Sequence, residues 1–264
     1  MDACITPAAL QSLFTGTHPP LLIDVRRDTA FRAAPDMLLG ALRRDPSAVA
    51  GWVAELPPAA AIVVYCVHGH EVSQNAARAL RDRGLNAGFI EGGIEAMRAA
   101  GSPLLRKPAG AATRWITRER PKVDRIACPW LISRFLDRDA EFLYVPSADV
   151  KKIAAAKDAI PYDVADVTFS HEGAHCSFDA FIRIFRLTDP ALLLLADIVR
   201  GADTGHPEIA PQAAGLAALS LGLSRLIADD HDQLRQGMVM YDALYLWCKE
   251  GQDEKHTWNP EAYR

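Results

Sequence analysis

Two kinds of apolar pattern alternate over the first hundred residues, and this alternation constrains the fold more than any other feature of the chain. Short apolar or β-branched runs predict strands, and segments with apolar residues at helical spacing predict helices. The predicted strands are Leu21–Val25, Ile62–Tyr65 and Asn86–Ile90, and the predicted helices are Ala48–Leu56, Ser73–Arg83 and Ile94–Ala100. This order predicts an α/β domain with a parallel sheet and helices on both faces. Ligands of such sheets bind at the carboxyl ends of the strands, where Asp24 and Cys66 lie.

A segment rich in proline, glycine and small residues follows this domain, from 101 to 113. It predicts a linker, so we divide the chain into a first domain (1–105), a linker (106–113) and a second domain (114–264). Half of the 264 residues are apolar, which is enough for two separate cores. Helical spacing dominates the second domain, which is predicted to be mainly α with a minor β part. Its predicted helices are Asp124–Leu136, Ser177–Phe185, Pro190–Arg200, Pro211–Ala228 and His231–Lys249, and its predicted strands are Glu141–Val145 and Val164–Phe169.

Charge and cysteine usage exclude several classes of protein. The net charge of -4 argues against a dedicated binder of nucleic acid or of an anionic membrane. The five cysteines are odd in number and contain no CxxC pair, which is typical of reduced thiols in the cytoplasm. The N-terminus has no basic and apolar segments of a secretory signal, and polar residues interrupt the longest apolar stretches. We therefore expect a cytoplasmic protein with no membrane span.

Cys66 ends a predicted strand, and a short loop separates it from the next predicted helix. Free backbone N–H groups in such a loop, with the positive end of the helix dipole behind them, form an anion-binding nest. The same groups favour a thiolate, so Cys66 is a candidate nucleophile. Gly69 gives the loop conformational freedom, and His68 and His70 can donate to an anion. A cysteine that only packs at a strand end, beside two exposed histidines, is the alternative interpretation.

Three segments of this domain resemble the rhodanese family of single-domain sulfurtransferases. They are LLIDVR (21–26), CVHGHE (66–71) and IEGGIEAM (90–97), and the resemblance covers about residues 5 to 100. It implies that Cys66 carries a persulfide, taking sulfur from a small-molecule donor and passing it to a thiol acceptor without a cofactor. The substrate-binding residues that it implies are Asp24, Arg26, Val67, His68, Gly69, His70, Glu71 and Val72. Glu71 departs from the family, which commonly has Arg or Thr there, and its carboxylate would disfavour a dianionic donor such as thiosulfate.

A cluster of potential metal ligands lies in the second domain. The stretch TFSHEGAHCSFDAF contains His171 and Cys176, and Asp203 follows in a later segment. Imidazole, thiolate and carboxylate ligands together suit zinc or iron, so we expect a metal site at these three residues. Their spacing matches no common zinc motif, and the residues around Cys176 could instead begin the next helix, so this second interpretation stays open.

Most of the segment from Arg114 to Cys248 resembles the C-terminal domain of the ChrB chromate-resistance family, through WITRERPKVDRIACPWLISRFLD, FSHEGAHCSFDAF and GMVMYDALYLWC. Some members regulate chromate-efflux operons, but a different N-terminal region precedes the domain there, so we do not extend DNA binding to this chain. We expect Arg125 and Arg134, nine residues apart on one predicted helix, to share a broad face and to bind an oxyanion such as chromate. Pairing with the nearby carboxylates Glu119, Asp137 or Asp139 is the alternative.

Together these patterns predict a rhodanese-type sulfurtransferase acting through Cys66 and linked to chromate resistance. The alternative is a non-enzymatic sensor or regulatory protein, in which the second domain binds an oxyanion or metal and the first has a structural part.

Overall fold

The computed structural model describes residues 2–14, 19–56, 60–107 and 112–253. The predicted linker falls partly on 108–111, and the predicted second domain ends on 254–264; both segments lie outside the described residues.

The first domain is built on a five-stranded, wholly parallel sheet. Its strands, with those of a separate two-stranded pair, are β1 (Cys4–Ile5), β2 (Leu21–Asp24), β3 (Asp36–Leu38), β4 (Ala41–Arg43), β5 (Ala61–Tyr65), β6 (Asn86–Ile90) and β7 (Leu104–Arg106). The order in the sheet is β1-β6-β5-β2-β4, so β5 is central. Strands β3 and β7 pair antiparallel beside it. The predicted linker therefore begins with a residue, Arg106, that still pairs with the first domain.

Helices connect these strands, as the alternating pattern predicts. They are α1 (Pro7–Phe14), α2 (Asp28–Ala33), α3 (Val49–Trp52), α4 (Glu71–Arg81) and α5 (Gly93–Ala99). The predicted helix Ala48–Leu56 is α3 followed by a 3-10 turn over Val53–Glu55. Burial of β2 and β5 on both faces explains their unbroken apolar runs, since helices cover both sides of a parallel sheet.

The second domain is rich in helices, which confirms the predicted class. Its strands are β8 (Arg114–Arg118), β9 (Glu141–Val145) and β10 (Ile160–Pro161), and its helices are α6 (Asp124–Leu131), α7 (Val150–Lys157), α8 (Ser177–Phe185), α9 (Pro190–Asp203), α10 (Ala213–Leu226) and α11 (Asp230–Leu246). Single π-turns extend α6 over Ile132–Leu136 and α11 over Trp247–Gly251. The three strands form a parallel sheet in the order β10-β8-β9.

One predicted strand of this domain is wrong. The segment Val164–Phe169 contains no strand, because Asp163 and Asp166 adopt left-handed backbone conformations (φ of 51° and 58°) and turn the chain. The third strand of the sheet is instead the short β10, whose two residues are too few to give a periodic pattern.

The two domains contact each other through polar and apolar groups. Arg44 of the first domain donates to the carbonyl of Phe135 at 2.9 Å. Arg32 pairs with Asp139 at 2.8 Å. The backbones also come close at Gly40, where a Cβ atom would lie 2.6 Å from the carbonyl oxygen of Ile184. This contact and a φ of 80° both require glycine at position 40.

Candidate functional site

Cys66 directly follows β5, the central strand of the first sheet, and is only 6% exposed. The loop 67–70 then leads into α4, which begins at Glu71. The cysteine therefore lies at the carboxyl end of a parallel strand and faces the N-terminus of a helix, the position at which such sheets bind ligands.

The backbone of this loop offers hydrogen-bond donors. The first α-helical bond at this end runs from the N–H of Gln74 to the carbonyl of His70, at 3.1 Å. Within the part of the chain that the structure describes, no protein group accepts a hydrogen bond from the N–H groups of residues 68 to 72. These N–H groups and the positive end of the α4 dipole favour an anion beside Cys66.

Two glycines hold the loop against the start of α5. Gly69 has a φ of 70°, and a Cβ atom there would lie 2.4 Å from the carbonyl oxygen of Ile90. Gly93 has a φ of 59°, and its Cβ would lie 2.5 Å from the carbonyl oxygens of Cys66 and Val67. The N–H of Ile94 also donates to the carbonyl of Cys66, at 3.0 Å. The glycines of CVHGHE and IEGGIEAM are thus complementary parts of one packed backbone.

Ser73 is the polar side chain in contact with the Cys66 sulfur. Its Oγ lies 3.1 Å from the Sγ of Cys66 and 3.2 Å from the carbonyl oxygen of His70. Its hydroxyl proton can therefore go to the carbonyl when the cysteine is a thiol and to the sulfur when it is a thiolate. Ser73, which the sequence interpretation did not select, is a candidate positioning residue for the thiolate.

Asp24 and Arg26 lie beneath the loop rather than in it. Arg26 donates through Nε and Nη2 to the Asp24 carboxylate, at 2.9 and 2.6 Å, and the hydroxyl of Tyr65 donates to the same carboxylate at 2.8 Å. Both charged residues are at most 1% exposed. Asp24 and Arg26 thus form one buried ion pair at the ends of β2 and β5, and their predicted contact with the substrate stays a prediction.

The remaining loop side chains differ in exposure. His68, His70 and Glu71 are exposed, and the two imidazole rings have centroids 5.8 Å apart. Val67 and Val72 are half-buried. Glu71 is the first residue of α4, where the helix dipole favours a carboxylate, so it has a local structural explanation as well as its predicted effect on the donor.

In the second domain, His171 lies among three aspartates. Its Nε2 is 3.1 Å from a carboxylate oxygen of Asp203 and 3.4 Å from oxygens of Asp124 and Asp163. Single ligand atoms of His171, Asp124 and Asp163 lie within 4.8 Å of one another. We call these four residues the acidic cluster. The structure thus brings together two of the predicted ligands, His171 and Asp203, and adds two that sequence reasoning missed.

Local backbone structure explains how Asp124 and Asp163 reach this point. Asp124 opens α6 directly after Val123, whose φ of 38° is unusual for a β-branched residue and is held by a bond from its N–H to Ser220 Oγ at 2.7 Å. Asp163 follows the carboxyl end of β10. The run before Asp163, Ile160–Tyr162, is too short to predict a strand, so no periodic signal pointed to Asp163.

Electrostatics in the acidic cluster are strongly perturbed. Burial and then the charge of Asp124 raise the pKa of Asp203 to about 8. The close carboxylate of Asp124, and then that of Asp163, raises the pKa of His171 to about 10. Burial also raises the pKa of Asp124. At neutral pH the cluster therefore retains a proton that an aspartate ordinarily loses.

Cys176 has a different place. It is fully buried at the N-cap of α8, where its sulfur accepts from the N–H of Asp179. The backbone N–H of Cys176 in turn donates to the Asp179 carboxylate, at 3.0 Å. Burial, followed by the charge of Asp124, raises the pKa of the Cys176 thiol far above its usual range. Its predicted role as a metal ligand is corrected: the geometry uses Cys176 as a helix cap, which was the alternative interpretation.

Arg125 and Arg134 do not share a binding face. Nine residues at α-helical spacing make about two and a half turns, and with the π-turn that contains Arg134 the two side chains still lie on different sides of the helix. Arg125 lies 3.2 Å from a carboxylate oxygen of Asp163, at the acidic cluster. Arg134 pairs with Asp242 of α11, with 2.7 Å between Nη2 and Oδ2. The prediction of one oxyanion held by both arginines is therefore wrong.

The model of the ChrB C-terminal domain matches residues 115–248, which is half of the chain. The chain belongs to the ChrB C-terminal domain family. Protein ChrB of Cupriavidus metallidurans is 34% identical to it over 132 residues, and the alignment covers 50% of this chain. That alignment spans only 39% of the length of Protein ChrB. The acidic cluster lies entirely within the ChrB C-terminal domain.

A second model, that of the rhodanese-like domain, matches residues 6–100, which include Cys66 and its loop. Among solved structures, a rhodanese-related protein from Thermoplasma volcanium is 21% identical, with a TM-score of 0.33; the match covers 39% of this chain and 97% of that protein. A thiosulfate sulfurtransferase from Pseudomonas aeruginosa is 26% identical, with a TM-score of 0.35, and the match covers 40% of this chain and 20% of that protein. Over the described residues, no helix has both the length and the apolar character needed to cross a bilayer.

Proposed function

We propose that the rhodanese-like domain transfers sulfane sulfur through a persulfide on Cys66, in a protein associated with chromate resistance. The observation that supports this proposal is the position of Cys66 at the base of a loop whose N–H groups, from 68 to 72, have no acceptor in the described part of the protein. Such groups stabilise both an attacking thiolate and the outer sulfur of a persulfide anion.

The reaction has two displacement steps. The Cys66 thiolate attacks the outer sulfur of a donor persulfide, R–S–S⁻, so that a new S–S bond forms on Cys66 and the donor leaves as R–S⁻. An acceptor nucleophile then attacks the outer sulfur of the enzyme persulfide and carries it away, which regenerates the Cys66 thiolate. Charge and atoms balance in each step, and neither step uses a cofactor.

The loop side chains favour particular substrates. Glu71 places a negative charge at the rim, which disfavours a dianion more than a monoanionic persulfide. We therefore propose a thiol persulfide as donor and a thiol as acceptor. The cytoplasm is the setting that we propose, because all five cysteines are free thiols.

Intact-mass measurement tests this function. The full chain is incubated with glutathione persulfide under anaerobic conditions, desalted, and then discharged with cyanide or glutathione. We expect one added sulfur atom on Cys66, lost on discharge with formation of thiocyanate or of glutathione persulfide. Cys66→Ser should neither gain the sulfur nor turn over, whereas Cys4→Ser, which changes an exposed free cysteine, should behave as the wild type.

Two results would contradict the proposal. One is sulfur transfer that persists in Cys66→Ser. The other is a folded wild-type protein that gains no sulfur from any persulfide donor, which would favour the sensor interpretation. Circular dichroism of each variant verifies that the fold is retained.

A further inference from the structure

Three carboxylates in the acidic cluster converge on a single hydrogen-bond donor. Oxygens of Asp124, Asp163 and Asp203 lie 3.1 to 3.4 Å from the same atom, Nε2 of His171. A protonated imidazole has one hydrogen on that nitrogen, so it can bond well to only one of the three oxygens. When the three carboxylates are ionised, the arrangement holds more acceptors than the protein supplies donors for.

One of these oxygens has no hydrogen bond at all. Asp124 is 2% exposed, and its Oδ2, which points to His171, has no hydrogen-bond partner among the described residues. A buried carboxylate oxygen without a donor costs free energy, and the cost is larger when the group is charged. An unpaired buried oxygen of this kind is expected where a bound ligand supplies its missing partner.

The nearby basic groups do not remove this deficit. Arg118 and Arg125 both approach Asp163 at Oδ2, at 2.6 and 3.2 Å. The hydroxyl of Ser177 donates to Asp163 Oδ1 at 3.1 Å. These contacts position Asp163 and neutralise its outer oxygen, but they leave the oxygens of Asp124 and Asp203 that face His171 to share one imidazole.

We propose that Asp124, Asp163, Asp203 and His171 bind a divalent transition-metal ion. Three carboxylate oxygens and one imidazole nitrogen form a hard, mixed O/N ligand set, which suits Mn²⁺, Fe²⁺ or Zn²⁺. Four segments of the domain supply the ligands: the start of α6, the turn after β10, the loop before α8, and the end of α9. The ligands lie beyond the carboxyl ends of β8 and β10, where parallel sheets bind their ligands.

The site is open to solvent on one side. A cavity of about 360 Å³ is lined by the acidic cluster together with Arg118, Lys122 and Arg125. His171 is 42% exposed and Asp203 is 15% exposed. A metal here therefore keeps a coordination position that faces solvent and exchanges with added chelators, unlike a closed structural site.

Titration of the metal-free protein tests the site. The full chain is treated with EDTA, dialysed, and titrated with MnCl₂ and with ZnCl₂ by calorimetry; bound Mn²⁺ is also detected by electron paramagnetic resonance. We expect one ion per chain and a higher melting temperature with metal, since the ion binds only the folded state. Asp203→Asn, at the partly exposed ligand, should weaken binding at least tenfold while the protein stays folded. His171→Gln should have the same effect.

Two further variants serve as controls. Glu172→Gln removes the neighbouring carboxylate, which pairs with Arg183 outside the acidic cluster, and should leave affinity unchanged. Cys176→Ser keeps a cap on α8 and should also bind metal as the wild type. The proposal fails if wild-type protein binds neither ion stoichiometrically, because a protonated His171 is then the cation of the cluster. It fails equally if Asp203→Asn binds as tightly as the wild type, or if Glu172→Gln loses binding to the same extent.

Discussion

Each domain buries an aspartate near the carboxyl end of a parallel strand. The two aspartates differ in how fully their carboxylate oxygens are hydrogen-bonded. Asp24 is fully buried, and its carboxylate receives hydrogen bonds from the Arg26 guanidinium and from the hydroxyl of Tyr65. Asp124 is nearly as buried, but its Oδ2 has no hydrogen-bond partner in the described structure. Burial alone therefore does not separate a structural carboxylate from one that is ready to bind a ligand; the number of donors around it does.

The two aspartates also differ in the kind of groups that surround them. Beside Asp24, burial and then the negative charge of Asp24 raise the pKa of Tyr65, so that its hydroxyl stays a donor. Beside Asp124 the nearest groups include another acid, Asp203, whose pKa rises to about 8. One aspartate is surrounded by donors, and the other by groups that compete for protons.

Replacement of Asp24, the fully hydrogen-bonded aspartate, should have the largest effect on stability. Asp24→Asn keeps the side chain's shape but leaves the Arg26 charge buried without its counter-ion. Loss of one partner of a buried ion pair costs about 3 to 5 kcal/mol, so we expect a decrease of that size in the free energy of unfolding. Urea denaturation measures it. Asp28→Asn, at an exposed pair with Arg32, is the control and should change stability by less than about 1 kcal/mol. Small decreases of equal size in Asp24→Asn and Asp28→Asn would show that the buried ion pair contributes no more to stability than the exposed one.

Lys107 is a third buried charged residue, and its ammonium group contacts a carbonyl oxygen and an aromatic ring. It is 1% exposed, with Nζ 3.3 Å from the carbonyl of Arg32 and 4.7 Å from the centre of the Phe31 ring. Burial, and then the positive charge of Arg26, lower the pKa of Lys107 to about 8, from an ordinary value of about 10.4. The unfolded chain then binds more protons between these two values, so stability contributed by this group rises as the pH increases from about 8 to 10.4.

Lys107→Met should therefore stabilise the protein at neutral pH, by about 2 kcal/mol, because it removes the cost of a buried ammonium group. The advantage over the wild type should shrink as the pH approaches 10.4. Urea denaturation of both proteins at several pH values gives the comparison. Lys249→Met, at an exposed lysine, should show no such pH-dependent difference. A stability difference between Lys107→Met and the wild type that is constant over this range would show that Lys107 is not the group responsible.

The same contrast explains how much of the molecule could be predicted. The Cys66 loop is one continuous segment, and strand, loop and helix patterns place it without tertiary information. The acidic cluster joins four segments that meet only after α6, β10 and α9 have packed. His171 and Asp203 were recognised by residue type alone, whereas Asp124 resembled an ordinary first-turn acid and Asp163 followed a strand too short to show alternation.

Two errors in the second domain have equally local causes. A shared face for Arg125 and Arg134 conflicts with helix geometry, because nine residues turn an α-helix by about half a revolution beyond two full turns. The predicted grouping of Cys176 with His171 rests on their closeness in sequence, but the capping bonds between Cys176 and Asp179 fix the Cys176 side chain at the start of α8.

Replacement of Asp124, whose Oδ2 has no hydrogen bond in the described structure, should change stability in the opposite direction to Asp24→Asn. Asp124→Asn removes a buried charge that faces Asp163 and Asp203, so in EDTA we expect the free energy of unfolding to rise by about 1 kcal/mol. The same variant should lose the stabilisation that Mn²⁺ or Zn²⁺ gives the wild type. Thermal and urea denaturation with and without metal measure both effects. A loss of stability in EDTA as large as that of Asp24→Asn would mean that Asp124, like Asp24, has a structural role.

The smallest expected effect concerns the rim of the Cys66 loop. Glu71 lines a surface depression together with Asp28, Asp45 and Arg27, so acidic side chains outnumber basic ones on this side. Glu71→Arg reverses one of them close to the loop N–H groups, and at low ionic strength kcat/KM with thiosulfate should rise roughly 3- to 10-fold. Activity with glutathione persulfide should change less, since the charges of that donor are spread over a tripeptide and only its persulfide anion has to lie beside the loop, whereas both charges of thiosulfate do. Asp82→Arg makes the same charge change at the other end of α4, about 16 Å away along the helix, and should leave both activities unaltered. An equal gain in Asp82→Arg would assign the effect to net charge, and no gain in Glu71→Arg, with the loop intact, would mean that its carboxylate does not set donor preference.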